Sequence, residues 1–280
     1  MDFKTMDLHF QILSQYMPAI FGPHPNDSLE SPLTSVERVK DFYAQLWPRN
    51  SHYSNRLMRI GGDFDGGYLL PANLDGIDWC FSPGSAGRAT FENDLYRLFG
   101  IKSFVCDDWS ELPGNNGSIA GFTSGLIGYN PSQAGEMTIK QWVHKSLGET
   151  PSRGSLLLQM DIEGGEYLFL LNEESATLEL FKYIVVEFHY LYSLHNVEKY
   201  VLLRSALDRI LETHSPVHVH PNDHTVYGCI DGNVMSHCLE VSFELKAQKD
   251  AHASFKQDKL PHPLDQPNIA GNQLVSFPKL

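Results

Sequence analysis

Five short stretches of this chain carry residue types that could do chemistry. Met160-Asp161-Ile162-Glu163-Gly164-Gly165-Glu166 places three carboxylates within six residues, directly after the apolar run Leu156-Leu157-Leu158-Gln159. Carboxylates this close either raise one another's proton affinity or take a cation. The same acids would also suit the electropositive first turn of a helix, and the spacing alone leaves both open. Ile184-Val185-Val186-Glu187-Phe188-His189 ends an apolar run on Glu-x-His. On a strand the two side chains point the same way, which suits a base with its orienting acid or two metal ligands. A satisfied structural histidine is the plainer alternative. Phe81-Ser82-Pro83-Gly84-Ser85-Ala86-Gly87 is a glycine-containing turn, and Asp107 lies 23 residues after Gly84. An acid about 20 residues past such a turn suits a ribose hydroxyl; the turn does not spell G-x-G-x-x-G, so a pyrophosphate is not indicated.

Two further stretches weigh less. His218, His220 and His224 fall within seven residues, a spacing that suggests zinc. The chain has 13 histidines, however, so clustering is expected by chance, and one imidazole lining a pocket is the better expectation. Gly61-Gly62-Asp63-Phe64-Asp65-Gly66-Gly67-Tyr68 has the Asp-x-Asp-Gly start of a calcium loop but no glutamate at its twelfth position. It reads as a tight turn into a strand, with a lid over a ligand as the alternative.

These residues need a frame that brings them to one place. The runs IDWCFSPG, KSFVCDD, SLLLQMDIEG, FKYIVVEFH and SPVHVHPN are short, apolar and end in polar residues. Helical stretches separate them: ATFENDLYRLFG, with Thr90 as its expected N-cap and Gly100 closing it, then TIKQWVHKSL, EYLFLLNEE and VEKYVLLRSALDRILETH. Strands alternating with helices predict an α/β fold with a mostly parallel, twisted sheet flanked by helices. Ligands then bind outside the carboxyl ends of the strands, where the polar residues gather. Three regions follow: a helical N-terminal extension over 1–58, an α/β domain over 59–245 and an extended C-terminal tail over 246–280.

Composition narrows the function. The 280 residues carry 34 acidic and 21 basic side chains, a net charge of −13, which argues against a nucleic-acid partner. No apolar run of about 18 residues occurs, so no membrane span is expected. Cys80, Cys106, Cys229 and Cys238 lack C-x-x-C spacing and read as reduced thiols of a cytoplasmic protein. The N-terminal segment is amphipathic and offers a surface for homo-oligomer formation.

In order along the chain, GGDFDGGYLLP, FSPGSAGRATFENDL, VCDDW, MDIEGGEY, IVVEFH and HPND-x-x-VYG resemble the FkbM-like S-adenosylmethionine-dependent methyltransferases. The likeness spans about residues 59–245 and runs faintly to PLDQPN. Ser82 stands where the family commonly has an acid, and Ala86 replaces its second glycine. The resemblance implies a Rossmann-like class I methyltransferase fold and an O-methyltransferase acting on a hydroxyl of a small-molecule or glycan acceptor. Gly84, Ser85, Gly87, Asp107 and Asp161 would hold S-adenosylmethionine. His189 would be the base, oriented by Glu187, with Asp161 at the transfer site. Mg2+ or Mn2+ held by Asp161, Glu187 and His189 is a separate expectation, because carboxylate and imidazole donors suit those ions. The alternatives are a catalytically inactive methyltransferase-like binding module and, with less support, a nicotinamide-dependent oxidoreductase.

Overall fold

A computed structural model describes residues 33–49, 51, 56–107, 116–127, 136–224, 226–247 and 260–278. Helix α1 (Val36–Gln45) is capped by the Ser35 hydroxyl and buries Val39, Phe42 and Tyr43. Strands β1 (Leu57–Ile60) and β2 (Tyr68–Pro71) form an antiparallel hairpin around the glycine-rich turn. Then follow β3 (Trp79–Pro83), α2 (Thr90–Phe99), β4 (Lys102–Asp107), β5 (Ile119–Ser124), the short pair β6 (Leu126–Ile127) and β7 (Glu136–Met137), and α3 (Ile139–Leu147). The second half comprises β8 (Leu156–Met160), α4 (Glu166–Asn172), α5 (Ser175–Leu178), β9 (Phe181–Phe188), α6 (Val197–Thr213) and β10 (His214–Pro221). The hairpin β11 (Val226–Ile230) and β12 (Asn233–Ser236) leads into β13 (Leu239–Leu245).

Seven strands form one sheet in the order β10-β13-β9-β8-β3-β4-β5. All pairs from β5 to β9 are parallel, and β13 enters antiparallel between β9 and β10. This is the mostly parallel Rossmann-like sheet flanked by helices. The five runs read as strands form β3, β4, β8, β9 and β10; β8 and β9 are buried along their whole length, as expected of strands covered on both faces. Strands β5 and β13 are additions. The residues before 33, with the expected N-terminal docking helix and self-association surface, lie outside the described residues.

Helix ends follow local chemistry with one correction. Gly100 and Gly148 close α2 and α3 in the left-handed conformation, and Thr138 with Gln141 makes a reciprocal capping box. Thr90 is not the N-cap of α2: Ala89 occupies that position without a side-chain bond, and Thr90 is the first helical residue. The C-terminal residues 260–278 form no helix or strand, but Asp265, Asn268 and Phe277 are buried. The segment is therefore docked on the domain. Among the described residues no helix is long and apolar enough to cross a membrane.

His214, at the junction of α6 and β10, is fully buried. Its Nδ1 meets Thr213 Oγ1 at 2.7 Å and its Nε2 meets the Phe181 carbonyl at 3.0 Å. Burial lowers its pKa to about 4. The unfolded chain binds this proton near the ordinary value of about 6.5, so stability is lost as pH falls from that value towards 4. The loss attributable to this group approaches about 3 kcal/mol. Urea unfolding at pH 7 and pH 4 should show a smaller acid loss in His214→Gln than in the wild type; equal losses would remove His214 as the source.

Candidate active site

The chain leaves β3 towards β4 and β5 on one side, and β8 leads to β9 on the other. The switch point therefore lies between β3 and β8, the place where sheets of this topology bind ligands. The turn after β3 and the turn after β8 meet there. Gly84, at φ +82°, donates its N–H to the Cys106 carbonyl at 2.9 Å, and Asp161 N donates to Pro83 O at 3.2 Å. A Cβ on Gly84 would sit 1.6 Å from the Asp161 carbonyl oxygen, so only glycine permits this approach. Asp107, at the end of β4, folds the turn: its Oδ2 accepts from Ser85 N (3.0 Å), Ser85 Oγ (3.1 Å) and Ala86 N (2.8 Å). Ala86 holds φ +46° and Gly87 φ +73°, a conformation these N–H···carboxylate bonds support at the alanine.

Ser82 lies in the strand beneath. Its hydroxyl contacts the Glu92 carboxyl of α2 and Gln159 Oε1 of β8, the latter at 2.5 Å. Burial raises the Glu92 proton affinity, and the Ser82 hydrogen bond works against that rise. Gln159 Nε2 faces the Tyr68 hydroxyl at 3.4 Å, and that hydroxyl donates to Glu187 Oε1 at 2.7 Å. A buried acid of the neighbouring helix, Glu92, thus stands against Ser82. From it a polar chain runs under the glycine turn to Glu187.

His189 is the centre of the second half. Its Nε2 faces Glu163 Oε2 at 3.5 Å, Asp161 Oδ1 at 3.7 Å and Glu187 Oε2 at 3.8 Å. Alternation along a strand is not what gathers Asp161 and Glu163: β8 ends at Met160, and a turn with Glu163 at φ +51° brings them together. Nor does the Glu187 carboxylate orient the ring. Nδ1 meets the Glu187 backbone carbonyl at 3.1 Å and Glu166 Oε1 at 3.3 Å. Glu166 is fully buried and accepts from the backbone N–H of His189 (2.6 Å) and of Gly164 (2.8 Å). One acid in the first turn of α4 therefore ties both loops. Cys238 completes the cluster, its thiol donating to Glu187 Oε2 at 3.5 Å. The register explains it: Leu239 pairs with Phe188 across β13 and β9, which sets Cys238 opposite His189.

The electrostatics follow from burying this much acid. Burial first, then Glu163, raises the Asp161 carboxyl well above the usual range, and its Oδ1 is shielded from water with no hydrogen-bond partner. Burial and then Asp161 raise Glu187 in the same way. For His189, burial alone would weaken proton binding; its neighbours Cys238, Glu163 and Glu166 outweigh it and raise the imidazole well above its ordinary value. Burial also raises the Cys238 thiol.

The remaining candidates are structural. His218 Nε2 pairs with Asp265 Oδ1 at 2.9 Å, and His220 Nε2 meets Asn268 Oδ1 at 3.2 Å. These histidines pin the C-terminal segment and form no zinc cluster among the described residues. The glycine-rich turn is held by Arg59, whose Nη2 donates to Phe64 O at 2.5 Å, and by an Asp65–Arg88 pair at 3.1 Å. The Gln266 amide bridges it to the C-terminal segment through Phe64 N (3.1 Å) and Asp63 (3.2 Å). None of the four cysteines, all within the described residues, forms a disulfide.

Thus Asp161, Glu187 and His189 meet in one cluster, while Gly84, Ser85, Gly87 and Asp107 build the adjoining turn. Tyr68, Glu92, Glu163, Glu166 and Cys238 were not assigned from sequence. Tyr68, Glu163 and Glu166 lie in stretches already singled out; Cys238 needs the pairing of β13 with β9, and Glu92 the packing of α2 against β3.

No family model matches the chain, and no curated protein does. Among solved structures it is similar to a human methyltransferase 10 domain containing protein, at 10% identity over 88% of this chain and 99% of that one, TM-score 0.33. It is similar also to a 30S ribosomal A1408 methyltransferase from an uncultured bacterium, at 10% identity over 68% and 100%, TM-score 0.31. The methyltransferase CalO6 matches at 11% identity over 61% and 58%, TM-score 0.26. The architecture itself rests on the strand order and directions described above.

Proposed function

We propose that this chain is an S-adenosylmethionine-dependent O-methyltransferase acting on a hydroxyl of a saccharide-like or small-molecule acceptor. The observation that carries it is the juxtaposition, at the switch point, of a carboxylate-folded glycine turn and an imidazole ringed by acids. The turn suits S-adenosylmethionine. Gly84, Ser85 and Gly87 keep backbone close to the crevice without building a pyrophosphate site, and Asp107 stands at the strand end suited to a ribose. Carboxylates nearby suit a sulfonium cation. When bound, that cofactor supplies an electrophilic methyl group.

The chain's own part is positioning and activation. An alcohol is a weak nucleophile until its proton is drawn away. Nε2 of His189, held by its neighbours on the Nδ1 side, faces the cleft together with Asp161 and Glu163. Once its proton has left, Nε2 is a proton acceptor beside the turn, so turnover should rise with pH as the imidazole, raised by its neighbours, is deprotonated. Glu187 is fixed by Tyr68 and offers its other oxygen to the same spot. A divalent ion at Asp161, Glu187 and His189 would polarise the hydroxyl instead, and the Oδ1 of Asp161, which accepts no hydrogen bond, fits such an ion. The groups close enough to share an ion form two overlapping sets, Asp161–Glu163–His189 and Glu187–His189–Cys238.

The test is release of S-adenosylhomocysteine from S-adenosylmethionine with a panel of saccharide, polyol and phenolic hydroxyl acceptors. Turnover with a hydroxyl acceptor is expected. Turnover confined to amine or nucleobase acceptors would overturn the O-methyl assignment.

A further inference from the structure

We propose that Glu187, His189 and Cys238 form a metal site that selects a borderline-soft divalent ion of the zinc and cobalt type over Mg2+. This rests on the reading above that the cluster is where an acceptor hydroxyl is activated, and it changes the ion expected there. The oxygen-rich set suggested by sequence pointed to Mg2+ or Mn2+; the register of β13 adds a sulfur donor that sequence did not show.

Three observations carry it. The first is distance. Ligand atoms about 2.0–2.3 Å from a tetrahedral ion lie roughly 3.3–3.8 Å from one another. Glu187 Oε2 stands 3.5 Å from Cys238 Sγ and 3.8 Å from His189 Nε2, and the donors of all three residues fall within 4.8 Å of one another. The second is preparation. The Glu187 carbonyl sits on His189 Nδ1 and leaves Nε2 to bind, while Tyr68 holds the other Glu187 oxygen. Such supporting bonds are what orient metal ligands. The third is charge. Asp161, Glu163, Glu166 and Glu187 surround one imidazole, and among the described residues no lysine or arginine pairs with any of them. A divalent cation would balance what a single imidazolium does not.

The competing set, Asp161–Glu163–His189, shares the same Nε2, so one ion excludes the other arrangement. Burial and donor type favour the inner set: Glu187, His189 and Cys238 are all buried, whereas the Glu163 side chain is 45% exposed. A thiolate selects zinc-like ions, and three protein ligands with one position left open is the pattern of catalytic zinc. On binding, the Cys238 S–H proton and any proton on His189 leave to solvent. Asp161, whose Oδ1 lies 3.7 Å from His189 Nε2 and has no hydrogen-bond partner, would be ionised by the neighbouring cation and take the proton of a hydroxyl polarised by the ion.

The experiment is a titration of chelator-treated protein with Co2+, read by absorption. Binding at one equivalent should give a near-ultraviolet sulfur-to-cobalt charge-transfer band that Zn2+ abolishes and a large excess of Mg2+ does not. Cys238→Ser should lose the band and weaken Co2+ binding by at least the roughly tenfold that loss of a supporting bond costs at a metal site. Cys229→Ser, which removes the exposed thiol, should keep the band; should Cys238→Ser not fold, Cys238→Ala is the second variant and should lose it. Absence of Co2+ binding, binding without the band, or a band that follows Cys229 would overturn the proposal. S-adenosylmethionine binding measured on the same samples separates the two ideas: a cobalt–thiolate band without cofactor binding would sink the methyltransferase reading and leave the metal site standing.

Discussion

His189→Ala should all but abolish the methyl transfer proposed for this site while leaving S-adenosylmethionine affinity nearly unchanged. The loss expected from removing a positioned proton acceptor is about 10²–10⁴-fold in turnover, and removal of a metal ligand acts in the same direction. The reason for the split between turnover and affinity is geometric. The imidazole touches the acids of the β8 and β9 loops, whereas the cofactor turn is folded separately by Asp107. His189 also donates its backbone N–H to Glu166, a bond that alanine keeps, so the loop remains tied. Steady-state release of S-adenosylhomocysteine and a binding titration on the same variant check both halves. Unchanged turnover would remove His189 from the chemistry, and a collapse of affinity would mean that the imidazole belongs to the cofactor site.

Gly84→Ala should be the most damaging single methyl group in the fold. Two costs combine there. The left-handed backbone penalises any Cβ by about 1–2 kcal/mol, and the added carbon would meet the Asp161 carbonyl at 1.6 Å. Neither partner can swing aside, because Asp161 N is bonded to Pro83 O and Gly84 N to Cys106 O. Gly76 provides the control, at φ +79° with nothing within 4 Å of its added Cβ. Gly76→Ala should show the conformational cost alone, and Gly84→Ala should lose several kcal/mol more in urea unfolding, or fail to fold, and lose cofactor binding. Equal losses in the two variants would contradict the close approach of the β3 and β8 turns.

The central strands were legible because they are buried on both faces and read as unbroken apolar runs, from Leu156 to Met160 and from Phe181 to Phe188. The polar residues at their carboxyl ends marked the crevice. Strand β13 was not legible as a neighbour of β9, since an antiparallel strand joins the sheet through long-range pairing that no local pattern states. With it went Cys238, which meets His189 only through that register. Thr90 was misplaced as a cap because Ala89 breaks from helical geometry one residue earlier. Asp161, Glu187 and His189 each stand out because they close an apolar run, and the family resemblance is what joins them into one site. The division of labour among them was not legible, because it depends on which side of the imidazole each acid faces. Glu166 shows the difficulty: its position announces a helix start, and the structure uses it there and also against His189.

The most direct measurement is a calorimetric titration of S-adenosylmethionine and S-adenosylhomocysteine into the wild type and Asp107→Ala. The account predicts one-to-one binding of both ligands to the wild type. In the variant, which loses the acceptor for Ser85 N, Ser85 Oγ and Ala86 N, affinity should fall by about tenfold or more, since each hydrogen bond to a charged group contributes about 1.5–3 kcal/mol. Absence of binding heat with either ligand, at several temperatures, would contradict it, and so would affinity unchanged by the loss of Asp107.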